Sequence, residues 1–320
     1  MTTTKKKPKK LRQFDVVSDA SDHQYANTYL TAYKSTNKKI MREWKLLSKE
    51  LPESIYVRVY ETHVELLRAA IVGAWGTPYH DGLFFFDIAF PCDYPNRPPF
   101  VRYRSFGFRL NPNLYPNGLV CLSLLHTFPG KQSEQWDPRK SNILQVLLSL
   151  QALVLNEKPF FNEAGYELMS GVRVWENRAL AYNRDAFVLS CKTMLSVLST
   201  PPKHFESVVI EHFKGRAEFI LNACDMYRNG LVKVGLFDGE VFMKGKGHVS
   251  RRFTSSINKL FGDLVTAFSG IGAPVHNVVD RLEEENKLSK KKNIGLVKKL
   301  RNLFVGLMVK KKSKRHVIVV

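Results

Sequence analysis

The sequence predicts an α+β fold: an N-terminal helix, a four-stranded antiparallel meander and C-terminal helices that run on into a helical extension. Three observations carry this. Ile40, Trp44, Leu47 and Leu51 recur at helical spacing and stop at Pro52. Four short runs rich in β-branched and aromatic residues follow: Ile55 to Val59, Val64 to Val72, Leu83 to Phe90 and Phe100 to Tyr103. Pro52-Glu53 parts the helix from the first run, and Gly73 to Gly82 and Pro91 to Pro99 part later ones, all turn-forming stretches. Beyond Ser141 the apolar spacing becomes helical again. A chain of 320 residues with 44% hydrophobic and 12% aromatic content has material for a core and for about two domains at most, which excludes a wholly disordered protein.

Residues 1–36 are polar and lysine-rich without a sustained period, and read as a disordered basic tail; KKKPKKLR is either a nuclear-import signal or a solubilising stretch. A catalytic core is expected over 37–185. After Pro99 it contains about 40 irregular residues broken by Gly107, Pro112, Pro116, Gly118, Pro129, Gly130 and Pro138. Leu110, Leu114, Leu119, Val120, Leu122 and Leu125 within that stretch predict an ordered loop, which is usually a functional one. Ser141 or Asn142 caps a helix carrying Ile143, Val146, Leu147, Leu150 and Val154. Gly171 to Arg184 is a further helix, continued by Ala186 to Leu198 and stopped at Pro201-Pro202. The extension, 186–230, includes an amphipathic helix from Phe205 to about Gly230. From 231 to 286 glycine is frequent and periodicity fades, which predicts a linker. Residues 287–320 form a basic tail, with Ile294, Val297, Leu300, Phe304, Leu307 and Met308 on one helical stripe.

The net charge of +20 is concentrated at the ends. Residues 1–12 hold +6 and residues 287–320 hold +12, leaving +2 for everything between. That argues for an ordinary folded domain with basic tails and against a specific nucleic-acid-binding fold. Apolar runs are short, Leu303 to Val309 for example, so no membrane span is expected. Nor does the start of the chain read as a secretory signal. The four cysteines, Cys92, Cys121, Cys191 and Cys224, form no close pair; neither a disulfide scaffold nor a metal site is expected, and a reducing cytoplasmic or nuclear setting is.

Cys121 sits in the ordered glycine- and proline-shaped loop Asn111 to Leu125. A nucleophilic thiol needs partial access and room for an acyl group, and Gly118 permits close approach of backbone and substrate. The Asn113 amide can stabilise a developing oxyanion or brace the loop. Many cysteines are simply small buried hydrophobes, and the loop alone leaves both readings open.

Residues 37–185 resemble the catalytic core of a ubiquitin-conjugating enzyme. The matching pieces come in order: Gly73 to Tyr79, Gly82 to Phe86, Phe90 to Pro99, Asn111-Pro112-Asn113 with Cys121 eight residues later, Trp136-Asp137-Pro138, and Leu144 to Gln151. The departures are Asn111 where the family usually has histidine, Ser123 where many members have aspartate, and about seven extra residues between Cys121 and Trp136. Together with Phe161 to Tyr166, these resemble the large hybrid conjugating enzymes, the giant apoptosis-inhibitor (apollon) type and the plant phosphate-homeostasis type. Pro201 to Glu206 resembles the plant branch.

The resemblance implies acyl transfer through a cysteine thioester: Cys121 takes ubiquitin from an activating enzyme and passes it to a substrate lysine. Asn113 matches the loop-bracing or oxyanion-stabilising asparagine. Glu163 lies near the position of the acid that helps the attacking lysine lose its proton, and reads equally as a surface carboxylate. His126 is taken as an insertion-loop residue rather than a base. Lys38, Lys39, Arg42 and Lys45 match the helix that meets the activating enzyme, and Asn96 and Pro138 the loops that meet a RING ligase. Many members have an aromatic residue in place of Asn96, so weak dependence on such a ligase is expected. No cofactor is implied, ATP being used by the activating enzyme. The alternatives are a non-catalytic ubiquitin-binding module, or a protein whose basic ends dock on anionic partners such as a membrane surface.

Overall fold

A computed structural model describes residues 11–28, 34–239, 249–281 and 284. Residues 1–273 form one compact unit and residues 274–320 a second. The basic stretches at 1–10 and 287–320, including the stripe from Ile294 to Met308, lie outside the described residues. Within the second unit residues 276–281 are helical.

A five-stranded sheet is the centre of the first unit: β1 (Phe14–Val17), β2 (Ile55–Tyr60), β3 (Leu66–Val72), β4 (Leu83–Ala89) and β5 (Phe100–Tyr103), in that spatial order. β2 to β5 are the antiparallel meander that the alternation predicts. β1 adds a parallel edge strand, with Phe14 beside Val57 and Val17 beside Tyr60. Side chains alternate between faces. Ile55, Val57, Val59, Leu67, Ala69, Ile71, Phe84, Phe86 and Ile88 share one core with Ile40, Trp44 and Leu47 of α1 (Lys34–Glu50) and with Ile143, Val146 and Leu147 of α2 (Ile143–Ser149). Asn142 caps α2 through Gln145 N–H at 3.0 Å, and the Gln145 side chain accepts from Asn142 N–H at 3.1 Å. A π-helical turn, Leu150–Val154, continues α2.

The opposite face of the sheet is covered too, and by segments that the sequence assigns elsewhere. Arg58, Arg68, Asp87 and Arg102 line up across β2 to β5. Arg68 is fully buried, donating to Asp87 at 2.5 and 2.9 Å and to both carboxylate oxygens of Asp22 at 2.8 Å. Lys203 binds Asp19 at 2.6 Å, and Phe205 meets Phe85 edge-on at 5.2 Å under the Arg58 guanidinium. The described parts of the expected disordered tail, residues 11–28 and 34–36, are therefore ordered, the second as the first residues of α1. The anchors of the first are Asp19, Asp22 and His23, buried or paired polar groups, and a hydrophobic period does not reveal them.

The expected boundary at 185/186 falls inside one continuous helix, α3 (Arg173–Ser199). α4 (Glu206–Arg228) follows the Pro201-Pro202 stop. The expected linker contains a 20-residue helix, α5 (Arg251–Gly270), capped by Ser250 and burying Phe253, Ile257, Leu260, Leu264 and Phe268. These residues keep strict helical spacing. Arg251, Arg252, Ser255, Ser256 and an exposed Gly262 dilute the pattern. α5 packs on α4, with Phe268 stacked on Phe213 at 6.0 Å and Arg228 over Phe261 at 4.8 Å.

Candidate active site

Cys121 ends a tight hairpin that begins at Asn111. Asn111 bridges Leu114, Leu114 bridges Val120, and Tyr115 N–H donates to Leu119 O at 3.0 Å. Gly118 closes the turn at a φ of 85°, and a Cβ there would lie 2.8 Å from Tyr103 O; both facts demand glycine. Cys121 N–H donates to Asn113 O at 2.9 Å, while Asn113 Nδ2 donates back to Cys121 O at 3.0 Å. The asparagine thus clasps the Cys121 peptide from both sides, a geometry that braces the loop.

Asn111 stands where the family usually has histidine, with both polar side-chain atoms hydrogen-bonded. Its Oδ1 accepts from Asn113 N–H at 2.8 Å and its Nδ2 donates to Val154 O at 2.8 Å. Asn162 Nδ2 donates to the same Val154 carbonyl at 3.2 Å. The π-helical turn therefore staples two separate loops together, and Glu163 arrives beside the hairpin. Phe160 fixes that second loop by packing on Tyr166, Trp175 and Tyr182.

Cys121 is 8% exposed. Burial pushes its thiol pKa up; the Arg109 guanidinium pulls it down and Glu163 pushes it up again. Arg109 and Glu163 form an ion pair at 3.7 Å, with the guanidinium 4.6 Å over the Tyr115 ring. The raised pKa favours the protonated thiol over the thiolate. The insertion after it is ordered: Thr127 Oγ1 donates to Val120 O at 2.7 Å and accepts from Leu122 N–H at 3.0 Å. His126 follows a short 3₁₀ turn, exposed and with a φ of 56°. A groove of about 950 Å³ opens alongside, lined among others by Leu124, Trp136, Pro138, Gln145 and Leu153.

A family model of ubiquitin-conjugating enzymes matches residues 39–183, which span most of α1, the meander, the Cys121 hairpin, α2 and the first part of α3. "Putative ubiquitin-conjugating enzyme E2 38" of Arabidopsis thaliana is 42% identical over 297 residues, covering 88% of this chain and 90% of that protein. The chain belongs to the ubiquitin-conjugating enzyme family. It is also similar to "Probable ubiquitin-conjugating enzyme E2 24" of Arabidopsis thaliana, 51% identical over 82% of this chain and 29% of that protein. The human "Dual E2 ubiquitin-conjugating enzyme/E3 ubiquitin-protein ligase BIRC6" is 34% identical over 66% of this chain and 5% of that protein. These likenesses support the hybrid subgroup of the conjugating family. Against the three plant relatives E2 24, E2 23 and E2 25, the chain spans 24% to 41% of their length.

Other residues expected at conjugating-family contact surfaces gather elsewhere. Lys38, Lys39, Arg42 and Lys45 are exposed on α1, away from the buried Ile40, Trp44 and Leu47. Asn96 and Pro138 are exposed on two loops that Trp136 joins by donating Nε1–H to Pro95 O at 2.6 Å. Glu43 of α1 accepts from Tyr94 OH at 2.6 Å and from Ile143 N–H at 3.1 Å, tying the helix to both loops. Burial raises the Glu43 carboxyl pKa against the effect of those two bonds. Arg109 escaped the sequence reading because its partner lies 54 positions away, and nothing in the local pattern marks a pairing that only the staple at Val154 creates. Among the described residues no three His, Cys, Asp or Glu side chains gather to hold a metal ion.

Proposed function

We propose that the chain accepts ubiquitin from an activating enzyme as a thioester on Cys121 and transfers it to a substrate lysine. The observation that supports this most is the clasped hairpin, in which Asn113 fixes the Cys121 peptide from both sides. In the first step the Cys121 thiol loses its proton, the thiolate attacks the activating enzyme's thioester, and that enzyme's thiolate leaves. In the second step a lysine amine attacks the glycyl carbonyl. A C–N bond forms, the C–S bond breaks and Cys121 departs as thiolate. Starting from an ammonium, one proton goes to the leaving sulfur and one to solvent. Burial of the thioester keeps water away and favours aminolysis over hydrolysis.

The exposed cations of α1 suit docking on an acidic face of the activating enzyme, and the joined loops of Asn96 and Pro138 suit a ligase. Ordinary RING ligases stimulate this enzyme only weakly, because Asn96 lacks an apolar anchor. A reducing cytoplasmic or nuclear setting belongs to this reading, since the nucleophile must remain a thiol. The experiment is a lysine chase: pre-charged protein is mixed with free lysine, with and without a generic RING domain. Discharge to lysine without the RING domain is expected; complete dependence on that domain contradicts the ligase-independent part.

A further inference from the structure

The Cys121 thiol lies in the field of a cation and an anion, Arg109 and Glu163, delivered by different loops. Arg109 precedes the hairpin, and its guanidinium carbon sits 4.6 Å over the ring of Tyr115, inside it. Glu163 follows the 3₁₀ turn Pro159–Asn162, which the shared Val154 carbonyl holds against the same hairpin. Their ion pair is long, 3.7 Å, and its side chains are 50% and 47% exposed. A pair of this kind contributes little to stability and exchanges partners readily. By contrast Arg68, which serves the fold, is fully buried and held by four side-chain bonds.

We propose that Arg109 is a positioning residue that holds Glu163 at the mouth of the Cys121 site, and that the acceptor lysine enters by taking the place of Arg109 at that carboxylate. This rests on the reading of Cys121 as the ubiquitin-carrying residue. A lysine ammonium is a compact point charge on a flexible stem and can reach between the loops, while the bulkier guanidinium stays over Tyr115. Glu163 gathers the ammonium beside the thioester. Once there, the amine sheds one proton to solvent, attacks the glycyl carbonyl and releases Cys121 as the thiolate, which takes up the second.

Arg109 therefore acts on the two half-reactions in opposite directions. It favours the thiolate that must form during charging, and it competes with lysine during discharge. A purely structural residue would impair both. The other ionisable groups nearby include Tyr182, which senses Arg109, Glu163 and Asp185. Tyr115 lies beneath the guanidinium, and His126 stands on the insertion.

The test uses the full chain with activating enzyme, ATP, ubiquitin and free lysine. Arg109→Ala is expected to move the pH midpoint of charging upward and to lower the half-saturating lysine concentration by about twofold to fivefold, the range an exposed ion pair supports. Arg109→Lys restores the charging profile. In a Glu163→Gln background, Arg109→Ala no longer lowers half-saturating lysine. The proposal is overturned if Arg109→Ala leaves half-saturating lysine unchanged or raises it, or if the decrease persists without the Glu163 carboxylate. If the unaltered chain forms no thioester at all, the underlying reading of Cys121 falls, and this inference with it.

Discussion

Asn111 and Asn113 divide the work of holding the Cys121 hairpin. Asn111 is fully buried and joins the hairpin to Val154 O, so its replacement by alanine leaves Asn113 N–H without its acceptor. Asn111→Ala is expected to cost about 1–3 kcal/mol, read as a lowered midpoint in denaturant unfolding. Asn113→Ala removes one bond to Cys121 O and is expected to slow thioester transfer more than it destabilises the fold. Equal destabilisation with no kinetic effect would contradict this division. At this scale ordered motifs over about half the chain marked the loop of Cys121 and Asn113, while Glu163 read equally as a surface carboxylate; the roles of all three belong to the proposal above. Arg109 was not, because loop-to-loop electrostatics has no local spacing.

The loop between β3 and β4 shows how whole elements are locked together. Tyr227 of α4 meets His80 at 3.0 Å and accepts from Gly235 N–H at 3.0 Å, Arg216 donates to Asp81 at 2.6 Å, and His212 meets the Asp81 carbonyl at 2.8 Å. Burial lowers the pKa of His212 below the ordinary histidine value of 6.5, outweighing the bond to Asp81, and burial acts likewise on His23 against the pull of Asp87. For both groups the unfolded state binds the proton more tightly. Their contribution to stability is complete above the ordinary value and is lost as pH falls below it. Thermal unfolding is expected to show a falling Tm from pH 7.5 toward pH 5.5, with a shallower slope in His212→Gln; an unchanged slope would refute the assignment. Phe205→Ala, at the sheet's outer face, is expected to cost about 3–5 kcal/mol. The meander and α2 were legible because each keeps one period and ends on turn or cap residues. β1 and α5 were missed, one for its length of four residues and its polar anchoring, the other for its diluted stripe.

Across the whole first unit, the segment after the conjugating core is part of the fold, since Arg58, Phe85, His80 and Asp81 all find partners in residues 201–239. A chain ending at residue 199 is expected to aggregate or to lose its cooperative unfolding transition; a soluble truncated protein with an unaltered Tm would contradict this. Residues 287–320 contrast with that segment, holding +12 of the +20 and an apolar stripe. Their deletion is expected to leave charging intact and to reduce pelleting with anionic vesicles, each basic residue near such a surface being worth about 1 kcal/mol. Equal pelleting of both chains would exclude a membrane role for the tail. The claim on which all of this depends is that Cys121 carries ubiquitin, and it is tested most directly by charging with activating enzyme, ATP and ubiquitin, resolved on non-reducing gels. The unaltered protein, and variants at Cys92, Cys191 or Cys224, should each form a ubiquitin adduct that thiol reductant removes. Cys121→Ser should form none that is thiol-sensitive, and a reducible adduct on Cys121→Ser would contradict the account.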